Sequence, residues 1–506
     1  MKALELRRIA RELKHSDSYE AWRELALTHD ELSGAAKWKE EEQTRSYDYA
    51  AIRSRLDQLR YFRKRRDNHG LLFALNEGIH GNMGHMGRAE LYERAMVGTK
   101  RLITEYVDEI IDALRHLSTA RLDNFSEADR LDFFRRASIC FGRSGLLLSG
   151  GGVYGNFHVG VIKVLLEQDL MPRVISGASA GSLIAAIVCT HSREQLLHTF
   201  EARHLQIRTR RAARGLSRGV SSLFPRFGFE DVRNHVERLI PDLTFAEAYQ
   251  RTGLSLNVSI SPAEVHQTPR LMNAITSPNV YVRSAVLASC AVPGIYPAVS
   301  LLAKNRHGEP QPYLPGRKWV DGSVSDDVPA RRLSRLYGVN HYIVSQVNPF
   351  ALLHRPLQHS ATMTQDLQQF LFHSSKNTAQ LVQRMTDKYS RRWPELRYNI
   401  NTLMSVWMQD YHGDINILPP VGLVRPWKGM TQPSEQLLLS IIRAGEVATW
   451  PRVEMIRNCT RIGRVLEDIC IRLEDKPHTE SVSATRIDMA RWTRRSGDAP
   501  QAGVAS

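Results

Sequence analysis

Two glycine-framed turns, each entered from a short apolar run, constrain this 506-residue chain more than any other feature. The first reads Leu146-Leu147-Leu148-Ser149-Gly150-Gly151-Gly152-Val153-Tyr154-Gly155, the second Val174-Ile175-Ser176-Gly177-Ala178-Ser179-Ala180-Gly181. Each run reads as a buried strand, and each turn opens a helix-like stretch, so the pair describes one βαβ-sized unit. Gly177 to Gly181 has the G-x-S-x-G spacing of a nucleophile elbow, a tight strand-to-helix turn that lifts the Ser179 hydroxyl clear of its neighbours. Gly177 and Gly181 leave room where a Cβ would collide. Gly150, Gly151, Gly152 and Gly155 belong to a loop whose backbone N–H groups, at a helix N-terminus, suit a developing negative charge. A nucleophile beside an oxyanion hole implies acyl transfer, most simply hydrolysis.

Gly150-x-Gly152-x-x-Gly155 also fits the dinucleotide fingerprint, which calls for an acidic residue near the end of the next strand. That strand ends in Ile175-Ser176-Gly177-Ala178-Ser179 without a carboxylate, which weighs against a nucleotide. The serine needs a base. Asp321, in Trp319-Val320-Asp321-Gly322-Ser323, stands at the end of an apolar approach and before a glycine; taken alone it is equally an ordinary Asp-Gly turn. Of the 19 histidines, His158 falls on the helix after the glycine loop, where a packing role is expected. His341, before the run Tyr342-Ile343-Val344-Ser345, is a weak alternative. The preferred reading is a Ser179–Asp321 dyad.

Gly150-Gly151-Gly152-Val153-Tyr154-Gly155, Gly177-Ala178-Ser179-Ala180-Gly181 and Asp321-Gly322-Ser323 together resemble the three signatures of patatin-like lipid acyl hydrolases. The family usually has Asp-Gly-Gly or Asp-Gly-Ala, so Asp-Gly-Ser is a small departure. The resemblance implies that the glycine loop is the oxyanion hole, Ser179 the nucleophile and Asp321 its base. It extends through Ala288 to Pro297, and outside the signatures to Trp22, Tyr47 to Arg66, Arg101 to Glu109, Trp407 to Asp414 and Ala448 to Cys459. These stretches look like the triacylglycerol lipases that act on stored fat in yeast and plant seeds. The implied substrates are triacylglycerol or phospholipid, with no cofactor. Transfer of the acyl group to a lysophospholipid is an alternative outcome of the same acyl-enzyme. A lipid-surface scaffold without turnover is the alternative from another class, and intact Ser179, Asp321 and glycine loop argue against it.

The expected fold class is α/β: a patatin-like, mostly parallel sheet flanked by helices, with N-terminal and C-terminal helical additions. The boundaries read as a helical region over 1–140, a catalytic domain over 141–350, a helical region over 351–475 and a disordered tail over 476–506. Lys100 to Leu117 carries apolar residues at 102, 103, 106, 107, 110, 111 and 114, an amphipathic helical period. The run Leu183 to Cys189 is too short to span a bilayer. Met1 to Arg8 mixes charges without the apolar core of a signal peptide, which suggests a cytoplasmic protein held peripherally at a membrane or lipid-droplet surface.

The net charge is +15, concentrated at Arg60 to Arg66 and from Arg203 through Arg218. Such clusters suit an anionic lipid surface or are simply solvated helix faces; no recognition motif accompanies them, so nucleic acid is not expected as a partner. Leu71 to Gly84 reads either as a buried helix with a turn or as a stretch that dips into an interface. Gly219 to Phe229 reads as a lid or rim, or as packing beneath a loop. Five scattered cysteines with no C-x-x-C pair read as reduced thiols, and no metal site is expected.

Overall fold

The structure is a computed structural model that describes residues 2–207, 228–264, 267–324, 326–352, 413–424 and 433–475. The expectations for Arg208 to Arg218, for the rim from Gly219 to Phe227, for Trp407 to His412 and for the tail 476–506 lie outside the described residues.

The strands are β1 (Arg143–Leu148), β2 (Val174–Gly177), β3 (Ser255–Pro262), β4 (Arg270–Asn273), β5 (Leu302–Lys304), β6 (Pro310–Pro312), β7 (Trp319–Asp321), β8 (Val339–Ser345) and β9 (Ile415–Ile417). β5 and β6 form a separate antiparallel pair. The main sheet runs β4-β3-β2-β1-β8-β9, and β7 pairs with the end of β3. β1 is parallel to β2 and to β8, β2 to β3 and β8 to β9, whereas β4 and β7 run antiparallel to β3. This is the mostly parallel, helix-flanked sheet that the sequence implies. Leu146, Leu147 and Leu148 are fully buried, as an unbroken apolar strand between covered faces must be.

The chain steps from β1 to β2 and β3 on one side, then returns to place β8 on the other side of β1. The crevice beyond the C-terminal ends of β1 and β8 is therefore a topological switch point, where open α/β sheets bind ligands. Both glycine turns open there.

Helices Tyr49–Arg65, Asn68–Gly78 and Arg101–Thr119 pack together in the N-terminal region. The last of these buries Leu102, Ile103, Tyr106, Val107, Ile110, Ile111 and Leu114, the stripe that the periodicity marks. Asn68–Gly78 buries Leu71, Ala74 and Leu75, so Leu71 to Gly78 is a packed helix, with Phe73 left exposed on its outer side. The cluster Arg60 to Arg66 is partly neutralised from the neighbouring helix: Arg60 pairs with Glu105 and Glu109, and Arg63 with Glu109 and Asp112. Trp22 and Trp450, both on stretches that carry the family resemblance, meet with ring centroids 6.2 Å apart.

The C-terminal residues complete the sheet layer. β9 extends it past β8, so the boundary at 350 does not coincide with the sheet's edge; three residues are too short a run to register as a strand from sequence. Helix Glu435–Thr449 lies across helix Asn156–Glu167, and their backbones touch at a pair of glycines. A Cβ on Gly160 would overlap the Ile442 carbonyl, and one on Gly445 would overlap the Phe157 carbonyl. Gly160→Ala is expected to force these helices apart and to lower stability by about 1–3 kcal/mol, the usual cost of overpacking, measured by denaturant unfolding.

Candidate active site

Ser179 sits between β2 and helix Ala180–Thr190 with φ 50° and ψ −125°, a conformation that a non-glycine residue holds only when its surroundings impose it. The imposition is visible. Ser179 donates its backbone N–H to Ser289 Oγ at 2.9 Å, and Ser289 in turn donates its hydroxyl to the Ser259 carbonyl at 2.7 Å. A Cβ on Gly177 would overlap the Gly181 carbonyl, and one on Gly181 would overlap that of Leu148, so the turn closes this tightly only with glycine at both ends.

Asp321 ends β7, which pairs with β3 so that Asp321 lies opposite Ile260. Its side chain is buried and accepts the Ser323 backbone N–H at 2.9 Å, and the Ser179 hydroxyl is near enough to favour its ionised form. Burial pushes the Asp321 carboxyl up to about 6, while Ser323 and the nearby Ser179 hydroxyl oppose the rise. An aspartate in this state is ionised at neutral pH yet a far better proton acceptor than an exposed one.

The glycine loop passes between these groups and the end of β8. A Cβ on Gly150 would come 2.9 Å from Ser323 Cβ and 3.2 Å from Ser179 Cβ, and one on Gly151 would lie 2.7 Å from Val347 Cγ2. The Gly150 N–H is committed: it donates to Asp327 Oδ1 at 2.7 Å. Among the described residues no acceptor takes the N–H of Gly151 or Gly152. Of Gly150, Gly151 and Gly152, the last two thus keep unengaged amide donors among the described residues.

Asp327 is the residue that sequence reading misses. It is buried, and its Oδ2 accepts from Asn348 Nδ2 at 3.2 Å, which joins the glycine loop to the segment after β8. Burial pushes its carboxyl up to about 7, the bonds from Gly150 and Asn348 oppose this, and the Asp321 and Asp326 charges add to it. Two adjacent acids before Val328-Pro329 were the only local signal. Asp327→Leu strands a buried N–H and is expected to cost about 1–3 kcal/mol of stability, checked by chemical denaturation.

Neither histidine candidate faces Ser179. His158 is fully buried; its Nε2–H donates to the Ser149 carbonyl at 3.0 Å, so its Nδ1 accepts from Ser345 Oγ at 2.7 Å. Burial lowers it to about 4, leaving a neutral strut beneath the glycine loop. His341 lies within β8 in register with Ser144 and contacts the Ser144 hydroxyl at 3.1 Å. Ser144 is four residues before the end of β1, or about 13 Å at strand rise, so His341 belongs to the opposite end of the sheet.

A trough opens beside Ser179. Leu183, Ile184, Leu205, Ile207, Val236 and Tyr296 contribute to its wall, and its volume is about 880 Å³ including the mouth. Gly152, Gly155 and Ser179 lie along the same cavity, and such an apolar wall accommodates a hydrocarbon chain.

Fold and site define an α/β protein with an elbow serine, a buried aspartate and a glycine loop over an apolar trough. Residues 146–334 match a family described as patatin-like phospholipase, and residues 2–138 match a domain of unknown function, DUF3336. Triacylglycerol lipase 4 of Saccharomyces cerevisiae is 35% identical over 89% of this chain and 51% of its own length. Triacylglycerol lipase ptl3 of Schizosaccharomyces pombe is 33% identical over 88% of this chain and 94% of its own length. Triacylglycerol lipase SDP1L of Arabidopsis thaliana is 31% identical over 86% and 56%. The chain thus spans about half the length of the first and third relatives and nearly all of the second. It belongs to the patatin-like family, in the group that includes these fungal and plant proteins.

Proposed function

We propose that this chain is a serine-dependent lipid acyl hydrolase that cleaves fatty-acyl esters of triacylglycerol or phospholipid. The observation that carries this reading is the buried Asp321 carboxyl with the Ser179 hydroxyl near enough to favour its ionised form, beside an apolar trough. Asp321 takes the hydroxyl proton as Ser179 Oγ adds to the ester carbonyl carbon. The oxyanion so formed is held by the N–H groups of Gly151 and Gly152. Collapse expels the glyceride alkoxide, which takes the proton from Asp321 and leaves an acyl-serine. Water, deprotonated by Asp321, then releases the fatty acid and restores the serine. The names of the relatives favour triacylglycerol as substrate.

Attachment to a lipid surface in the cytoplasm is part of the proposal. No described helix is long and apolar enough to cross a membrane. Lys64, Arg65 and Arg66 remain exposed cations beside the ion-paired Arg60 and Arg63 and suit an anionic surface.

The test is fatty-acid release from triacylglycerol and phospholipid emulsions before and after treatment with a serine-directed alkyl phosphonate. Release is expected to stop as the adduct forms, with the added mass on the peptide that contains Ser179. Release that persists after complete labelling of Ser179 overturns the mechanism.

A further inference from the structure

His198, Glu201 and His204 recur at three-residue intervals, a pattern that a search for paired His/Cys ligands passes over. The chain brings them together where helix Arg193–Thr199 ends and the short helix Ala202–Leu205 begins. One ligand atom from each lies within 4.8 Å of the others, which no other trio of such residues achieves among those described. His198 Nδ1 is 3.0 Å from Glu201 Oε1, and the two imidazole rings stand 4.7 Å apart. Neighbouring ligands on a tetrahedral zinc, each at about 2.0–2.1 Å from the metal, are about 3.3 Å apart, so small side-chain rotations close the set.

Two further observations separate this group from an ordinary surface ion pair. His204 Nε2 is shielded from solvent and has no partner among the described residues, which is costly for an imidazole unless something occupies that nitrogen. Glu201 is oriented from behind: Arg203 holds Oε2 at 2.5 Å, leaving Oε1 turned toward the histidines.

We propose that His198, Glu201 and His204 form a binding site for one divalent transition-metal ion, with zinc the best chemical match. Two imidazoles and one carboxylate suit zinc, whereas calcium and magnesium prefer all-oxygen sets. The bound ion would join the two helices directly behind Leu205, which lines the trough. The fourth position would be open to water.

The experiment is calorimetric titration of the full chain, first stripped with a chelator, with zinc chloride and separately with calcium chloride. One saturable zinc site with no calcium counterpart is expected. His204→Gln and Glu201→Gln should each weaken it by at least the about 10- to 100-fold that lesser changes around a metal cost. Matching thermal midpoints of the metal-free variants and wild type would show that the fold is retained. Should a variant fail to fold, the exposed His198→Gln serves in its place. Absence of saturable zinc binding by the wild type overturns the proposal, as does undiminished binding in a folded variant.

Discussion

Asp321→Asn is expected to abolish most hydrolysis and, at the same time, to make the protein more stable above neutral pH. The amide cannot take the Ser179 proton, and loss of a general base costs about 10²–10⁴-fold in turnover. Stability moves the other way because a buried carboxylate with a pKa of about 6 is held in its charged form at a cost. Its unfolded-state value is near 3.9, so below that pH both states are protonated and no penalty exists. As pH rises through about 6 the folded state is forced to ionise, and the penalty approaches about 3 kcal/mol. The variant should therefore unfold at a higher temperature than wild type at pH 8, with the gap vanishing below about pH 4. The same ionisation sets the activity profile: the wild-type rate should fall about tenfold per pH unit below about 6. Near wild-type release by Asp321→Asn would remove the dyad.

Ser179→Ala is expected to reduce fatty-acid release to background, since loss of a serine nucleophile costs on the order of 10⁶-fold in turnover. The substitution keeps a Cβ at the strained position and leaves the Ser179 N–H bond to Ser289 in place, so the turn should persist. Fold is checked by circular dichroism and thermal midpoint, and the double variant with Asp321→Asn should be no slower than Ser179→Ala alone. Greater than background release from a folded Ser179→Ala protein would assign the chemistry to another group.

What the sequence made legible is what the backbone demands locally. A turn that admits only glycine at Gly177 and Gly181 leaves a mark in the residues themselves, and so does an apolar strand such as Leu146–Leu148. Ser179 and Asp321 could be paired across a long separation because each sits on such a mark. Asp327, Ser289 and Asn348 carry no mark: their roles exist only because β7, β8 and the glycine loop converge, and a polar residue that will be buried looks like any other. The charge at Arg60 to Arg66 was only partly legible for a related reason. Its partners Glu105, Glu109 and Asp112 lie on a helix far along the chain, and no local count of charge anticipates them.

The crossing of Gly160 with Gly445 gives this protein a clock. Both glycine turns and Asp321 have left the ribosome well before β9 and helix Glu435–Thr449 are made. Until those arrive, β8 is an open edge and the helix that carries His158, the strut under Ser149, lacks its cover. The nascent chain thus carries the glycine loop, Ser179 and Asp321 long before it carries the residues 415–449 that complete the layer around them.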